Sequence, residues 1–71
     1  MRLFTTMQCQ PCQLLKGMIK ESKVEGITVV DAQSENGGKE AEDLGIRSVP
    51  TLVTDEATFT GIDDIIKELG I

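Results

Sequence analysis

Both cysteines of this chain stand in one tetrapeptide, Cys9-Gln10-Pro11-Cys12, where one kind of apolar pattern gives way to another. Before it, Arg2–Thr5 reads as a short strand. After it, Leu14, Leu15, Met18 and Ile19 recur at i, i+1, i+4 and i+5, which gives one apolar face with helical spacing. Residues 8–11 switch the chain from the first pattern to the second. A disulfide between Cys9 and Cys12 closes so small a loop that it constrains the unfolded chain little. A 71-residue chain is of the size that often needs a staple, but this pair is badly placed to be one.

The remaining punctuation divides the chain cleanly. Lys20 and Lys23 lie in or just after the last turn of the first helix, where cations favour the helix dipole, and Gly26 ends the connection. Residues 27–30, Ile-Thr-Val-Val, are β-branched throughout and read as a buried strand ending at Asp31. Residues 31–38 read as a loop by composition. Residues 39–44 form a short helix with Ala41 and Leu44 inward, stopped by Gly45. Pro50 sets the start of a strand over 49–54, Asp55 and Glu56 turn the chain, and 57–60 pair back as a hairpin. Thr60-Gly61-Ile62-Asp63 fits a capping box, and Ile62, Ile65, Ile66 and Leu69 make a final amphipathic helix.

The expected fold is a single α/β domain over residues 1–71 in the order β-α-β-α-β-β-α. It has a four-stranded mixed sheet flanked by three helices. Its first two strands are parallel through a helical crossover, and its last two are an antiparallel hairpin.

Composition excludes several classes of function. Seven basic and twelve acidic residues give a net charge of −5. Nucleic acid and anionic membranes call for a basic footprint, so neither is an expected partner. Phe4 and Phe59 are the only aromatics, which leaves no base-stacking platform. The apolar runs are too short to span a bilayer, and residues 1–8 lack the apolar core of a signal peptide. A cytoplasmic location is therefore expected. Thiols are kept reduced there, and a close cysteine pair reads as catalytic or metal-binding rather than structural.

Thiol–disulfide exchange needs an attacking thiolate and a second thiol near enough to resolve the mixed disulfide. Two intervening residues at a helix start supply both. Cys9 falls near the N-cap, where unpaired backbone N–H groups and the dipole favour the thiolate. Cys12, one turn in, is more buried and is the resolving thiol. Pro11 sits in the first turn, where its missing N–H leaves nothing unpaired. A Cys-x-x-Cys between a strand and an amphipathic helix of a βαβ unit is the context of a redox motif. Zinc is the main rival, but it takes four ligands, and this chain has two cysteines and no histidine. No metal ligand set is assigned.

"CQPC" after a short strand, followed by "GIRSVPT" over residues 45–51, resembles the thioredoxin/glutaredoxin superfamily. The resemblance covers nearly the whole chain. It implies a thioredoxin fold in minimal form and a cis Val49–Pro50 peptide. It also implies that this loop packs beside the cysteines and offers Val49 backbone groups to a substrate chain. Pro11 and the Gly45-Ile46-Arg47-Ser48-Val49-Pro50-Thr51 segment look thioredoxin-like. The short length does not. Gln8 stands where thioredoxins carry a Trp, and Leu3 lies in the region of their buried acid. The segment Phe59–Leu69, "FTGIDDIIKEL", looks like small glutaredoxins and the glutaredoxin-like redoxins that serve ribonucleotide reductase. In glutaredoxins this segment helps hold the amino end of glutathione. Asp63 and Asp64 read equally well as first-turn acids at a helix N-terminus. Two departures count against glutathione: Thr6 replaces the usual Lys, and Pro11 replaces the usual active-site aromatic.

By that resemblance the chain is a small dithiol protein-disulfide oxidoreductase, an electron carrier with a redox-active Cys9–Cys12 disulfide and no bound cofactor. Cys9 and Cys12 are the expected catalytic residues, and Gln10, Pro11, Val49, Pro50 and Gly61 the expected substrate contacts. Disulfide-containing proteins, ribonucleotide reductase among them, are the implied substrates. A thioredoxin-reductase-type flavoenzyme would pass on electrons from NADPH. A glutathione-dependent glutaredoxin is the first alternative, and a non-enzymatic metal-binding or docking module of the same fold the second. A monomer is expected. Met7 and Met18 read as packing residues, the charges of 39–43 as a solvated helix face, and Arg47 as a member of a surface salt bridge ahead of a residue that steers an acidic partner.

Overall fold

In the computed structural model, which describes residues 1–71, the extended stretch Arg2–Thr5 forms β1 and lies inside the sheet. It is followed by α1 (Gln10–Glu21), β2 (Thr28–Asp31), α2 (Glu35–Asp43), β3 (Thr51–Val53), β4 (Thr58–Thr60) and α3 (Ile62–Leu69). The strand order is β2-β1-β3-β4. β1 pairs parallel to β2, with Leu3 beside Val29, and antiparallel to β3, with Leu3 opposite Leu52. β3 and β4 form the antiparallel hairpin. The fold is thus α/β with a four-stranded mixed sheet and three helices, in the expected order.

Alternation along β1 divides the core. Leu3 points to one face, where it joins Leu15 of α1, Leu52 of β3 and Ile65 of α3, all fully buried. Phe4 points to the other, where it meets Val30 of β2 and Ala41 of α2. Two helices therefore cover one face and one helix the other, as the period-2 pattern of a central strand demands. Ile19, Ile62, Ile66 and Leu69 pack around the larger cluster, so the helical spacing read in α3 is the spacing that meets the sheet.

Several expectations give way here. Residues 31–38 are not all loop: α2 starts at Glu35, capped by Ser34, whose Oγ accepts the Gly37 N–H at 3.0 Å. Asn36, Gly37 and Gly38 are poor helix formers, but the Ser34 cap and the packing of α2 on β2 override composition. Gly37 is there for space, because a Cβ at that position would overlap the Asp31 carbonyl. Leu44, expected inward, is 51% exposed as the C-cap of α2. The strand at 27–30 is not buried on both faces: β2 is a sheet edge, it begins at Thr28, and Val29 is 47% exposed. The strand starting at residue 49 shortens to Thr51–Val53, since Pro50 cannot donate a ladder hydrogen bond. The capping box at Thr60 does not form. Gly61 is the N-cap of α3, at φ +85°, and no side chain caps that helix. The turn at 55–56 is held by Thr54, whose Oγ1 accepts the N–H groups of Glu56 and Ala57 at 3.2 and 3.0 Å. No helix is long and apolar enough to cross a membrane.

Candidate functional site

The passage from β1 to α1 places the two sulfurs. Cys9 is the N-cap of α1, with extended backbone (φ −94°, ψ 111°), and its sulfur accepts the Cys12 N–H at 3.2 Å. That bond replaces the hydroxyl or carboxylate oxygen that usually caps a helix. It satisfies one of the four N–H groups a helix leaves unpaired at its start. Pro11 occupies the first turn, and the Gln13 amide donates to the Met7 carbonyl at 3.2 Å, tying the preceding turn to the helix. The Cys9 and Cys12 sulfurs lie at disulfide distance, with their Cα atoms 5.1 Å apart. Cys9 is half-buried, whereas Cys12 has no exposed surface. The sulfur open to a reaction partner is therefore that of Cys9.

The second half of the site comes from the turn before β3. The Val49–Pro50 peptide is cis, Pro50 is buried, and the Thr51 hydroxyl donates to the Ser48 carbonyl at 2.7 Å. The Val49 carbonyl oxygen lies 3.9 Å from the Cys9 sulfur. The Gly61 N–H donates to the Pro50 carbonyl at 3.4 Å, so the start of α3 is pinned to the same turn. Three segments distant in sequence thus meet: the cysteine turn, residues 48–50, and Gly61. Of the expected site residues, Cys9, Cys12, Val49, Pro50 and Gly61 are linked by these contacts. Gln10 and Pro11 are exposed on the α1 side. Asp63 and Asp64 are exposed in the first turn of α3.

Two surface hollows adjoin these segments, one at Gln10 and the other at Val49. One, of about 390 Å³, is formed by Gln10, Pro11, Leu14 and Ile62. The other, of about 440 Å³, runs between α2 and the 45–49 segment, with Thr6, Ala41, Glu42, Ile46, Arg47 and Val49 among its walls. The apolar spacing of the sequence shows neither the exposure of Leu14 nor the second groove. It puts Leu14 on the inward face with Leu15, but neighbouring helix positions lie about 100° apart. Leu15 is fully buried, and Leu14 is 61% exposed. The signal was present in a second spacing, Pro11, Leu14 and Met18 at i, i+3 and i+7. Met7, read as packing, is 75% exposed next to the cysteine turn, whereas Met18 is half-buried. Arg47 is in no salt bridge, contrary to expectation. The only ion pair joins Arg2 to Glu40, with Arg2 Nε 3.0 Å from Glu40 Oε2.

No carboxylate is among the buried residues, and Leu3 is fully enclosed in the apolar cluster. No group of three or more Cys, Asp or Glu side chains is arranged to hold a metal ion. Comparison with protein-family models, with curated proteins and with solved structures returns no match to this chain.

Proposed function

We propose that this chain is a minimal thioredoxin-like domain that acts as a small dithiol protein-disulfide oxidoreductase. The observation that carries the reading is the placement of the Cys9 sulfur. It accepts the Cys12 N–H at the start of α1 and lies 3.9 Å from the Val49 carbonyl beside a cis proline. Backbone N–H donors favour a thiolate over a thiol, and thiolate is the attacking species. The "CQPC" and "SVPT" resemblance and the β-α-β-α-β-β-α order support the same reading.

In the forward direction the Cys9 thiolate attacks one sulfur of a substrate disulfide, R–S–S–R′. The Cys9–S–R bond forms, the substrate S–S bond breaks, and R′–S⁻ leaves. The Cys12 thiolate then attacks the Cys9 sulfur and displaces R–S⁻. The substrate gains two electrons and, with the protons the two thiols gave up, becomes two thiols. The protein is left with the Cys9–Cys12 disulfide. Val49 and Pro50 position the substrate chain, with Gln10, Pro11 and Gly61 at its margins. With no buried acid behind Cys12, its proton leaves through water or the departing thiolate.

The cycle closes when a thioredoxin-reductase-type flavoenzyme returns two electrons from NADPH. A cytoplasmic monomer that reduces disulfide proteins such as ribonucleotide reductase fits this reading. Two experiments test it. Replacing Cys12 with Ser removes the resolving thiol and should leave Cys9 covalently joined to substrate. Absence of an adduct with any disulfide protein would sink the proposal. NADPH consumption with insulin as substrate separates the reductants: turnover only with thioredoxin reductase supports the reading. Turnover only with glutathione and glutathione reductase replaces it with a glutaredoxin in which Gly61, Asp63 and Asp64 hold the tripeptide. Elemental analysis of protein purified under reducing conditions tests the metal-binding alternative.

A further inference from the structure

The groove between α2 and the 45–49 segment shares only Val49 with the chemistry just described. Val49 lines this groove, and its carbonyl is the group 3.9 Å from the Cys9 sulfur. The walls are small and apolar where they meet the sheet, with Ala32, Gly38 and Ala41, and the volume is about 440 Å³. That is room for a side chain of a bound polypeptide. Arg47 stands on the rim, exposed and without an ionic partner, in a protein whose only ion pair is between Arg2 and Glu40. Glu42 lines the opposite wall but makes no ion pair with Arg47. The chain as a whole carries −5, so its overall field disfavours acidic partners and an attraction here is local.

From this groove we infer that the protein selects substrates with an acidic side chain within two residues of the reacting half-cystine, and that Arg47 is the specificity-determining residue that pairs with it. The inference rests on the oxidoreductase reading above and names its substrate class. Arg47 precedes Val49 by two residues. Arg47 and Val49 line the same groove, so a substrate chain held at the Val49 backbone brings its nearby side chains within reach of Arg47. A carboxylate entering there gains an uncommitted guanidinium, which can bind it through two parallel hydrogen bonds. A lysine at the same place meets repulsion, and Glu42, exposed on the same groove, discourages a second acid.

The test uses pre-reduced full-length protein and synthetic disulfide peptides with Asp, Asn or Lys two residues from the half-cystine, on either side in turn. The second-order rate of peptide reduction is read directly, so no reductase is needed. The Asp peptide should react about two- to fivefold faster than the Asn peptide, the range for an exposed ion pair. The preference should vanish in Arg47→Ala and invert toward Lys in Arg47→Glu. It should grow in Glu42→Gln, and salt of about 1 M should erase it by screening. Lys20→Glu changes the net charge as much as Arg47→Glu does, but it lies at the far end of α1. That variant should keep the wild-type preference. Equal rates for the three peptides, or an Asp preference that survives Arg47→Glu, would overturn the inference and leave the oxidoreductase reading intact. Reduction of none of the peptides would overturn both.

Discussion

The same substitution, glycine to alanine, should have opposite signs in two helices of this protein. Gly17 lies in the middle of α1, exposed, and an added Cβ there meets no atom within 4 Å. Alanine should stabilise by about 1 kcal/mol, the difference in helix propensity. In a domain of this size that raises Tm by about 4–8 °C. Gly37 lies in the first turn of α2 and is buried. A Cβ there overlaps the Asp31 carbonyl oxygen and comes within 2.7 Å of Ser34 Oγ. Neither atom is free to swing away. The Asp31 oxygen accepts the Ser34 hydroxyl at 2.7 Å and the Ser34 N–H at 3.1 Å, while Ser34 Oγ accepts the Gly37 N–H at 3.0 Å. Alanine at 37 gains the same propensity, about 1 kcal/mol. Against this it loses the cap, about 1 kcal/mol, and forces overpacking of about 1–3 kcal/mol. The net is a loss of about 1–3 kcal/mol, with Tm lower by roughly 10 °C. Urea unfolding of the oxidised protein, followed by far-ultraviolet circular dichroism, measures both variants. The double variant should be additive to about 0.5 kcal/mol, because the sites share no partner. A Gly37→Ala protein as stable as the parent would refute the argument that space, not flexibility, selects glycine there.

Two further outcomes follow from the packing. Ile65→Ala empties a fully buried position shared with Leu3, Leu15 and Leu52. It should destabilise by about 2–5 kcal/mol, a large share of a total on the order of 4–10 kcal/mol for a chain of this length. A smaller loss in urea unfolding would mean that α3 is not seated on the sheet as described. Gly61→Ala places a side chain in open space but at φ +85°, so it should destabilise by about 1–3 kcal/mol through backbone strain alone. Wild-type stability in thermal unfolding would show that the N-cap of α3 does not need that conformation.

Where the sequence carried a period, it determined the element. α1 and α3 are read from spacing because an apolar stripe of the right period is what the sheet requires. Cys9 at a helix start was legible for the same kind of local reason: Pro11 and the helical spacing that follows it fix where α1 begins. Several features depended on the whole fold. α2 begins before its composition suggests, because Ser34 caps it and Gly37 fits against Asp31, a contact between residues the pattern does not connect. Leu14 and Leu15 are adjacent leucines that the sequence does not distinguish, and only the position of the sheet decides which one is buried. β2 is β-branched like a buried strand, yet it lies at an edge, and edge or centre is a property of strand order. Arg47 reads as a residue for a surface ion pair, but no carboxylate comes near enough, and the groove beside it exists only because α2 and the 45–49 segment are held apart. The sequence alone determined the local elements and the reactive pair, since these depend on neighbours a few positions away. Only the tertiary structure decided what stands beside the Cys9 sulfur, because the cysteine turn, the Val49–Pro50 turn and Gly61 are distant in sequence and meet only when the sheet forms.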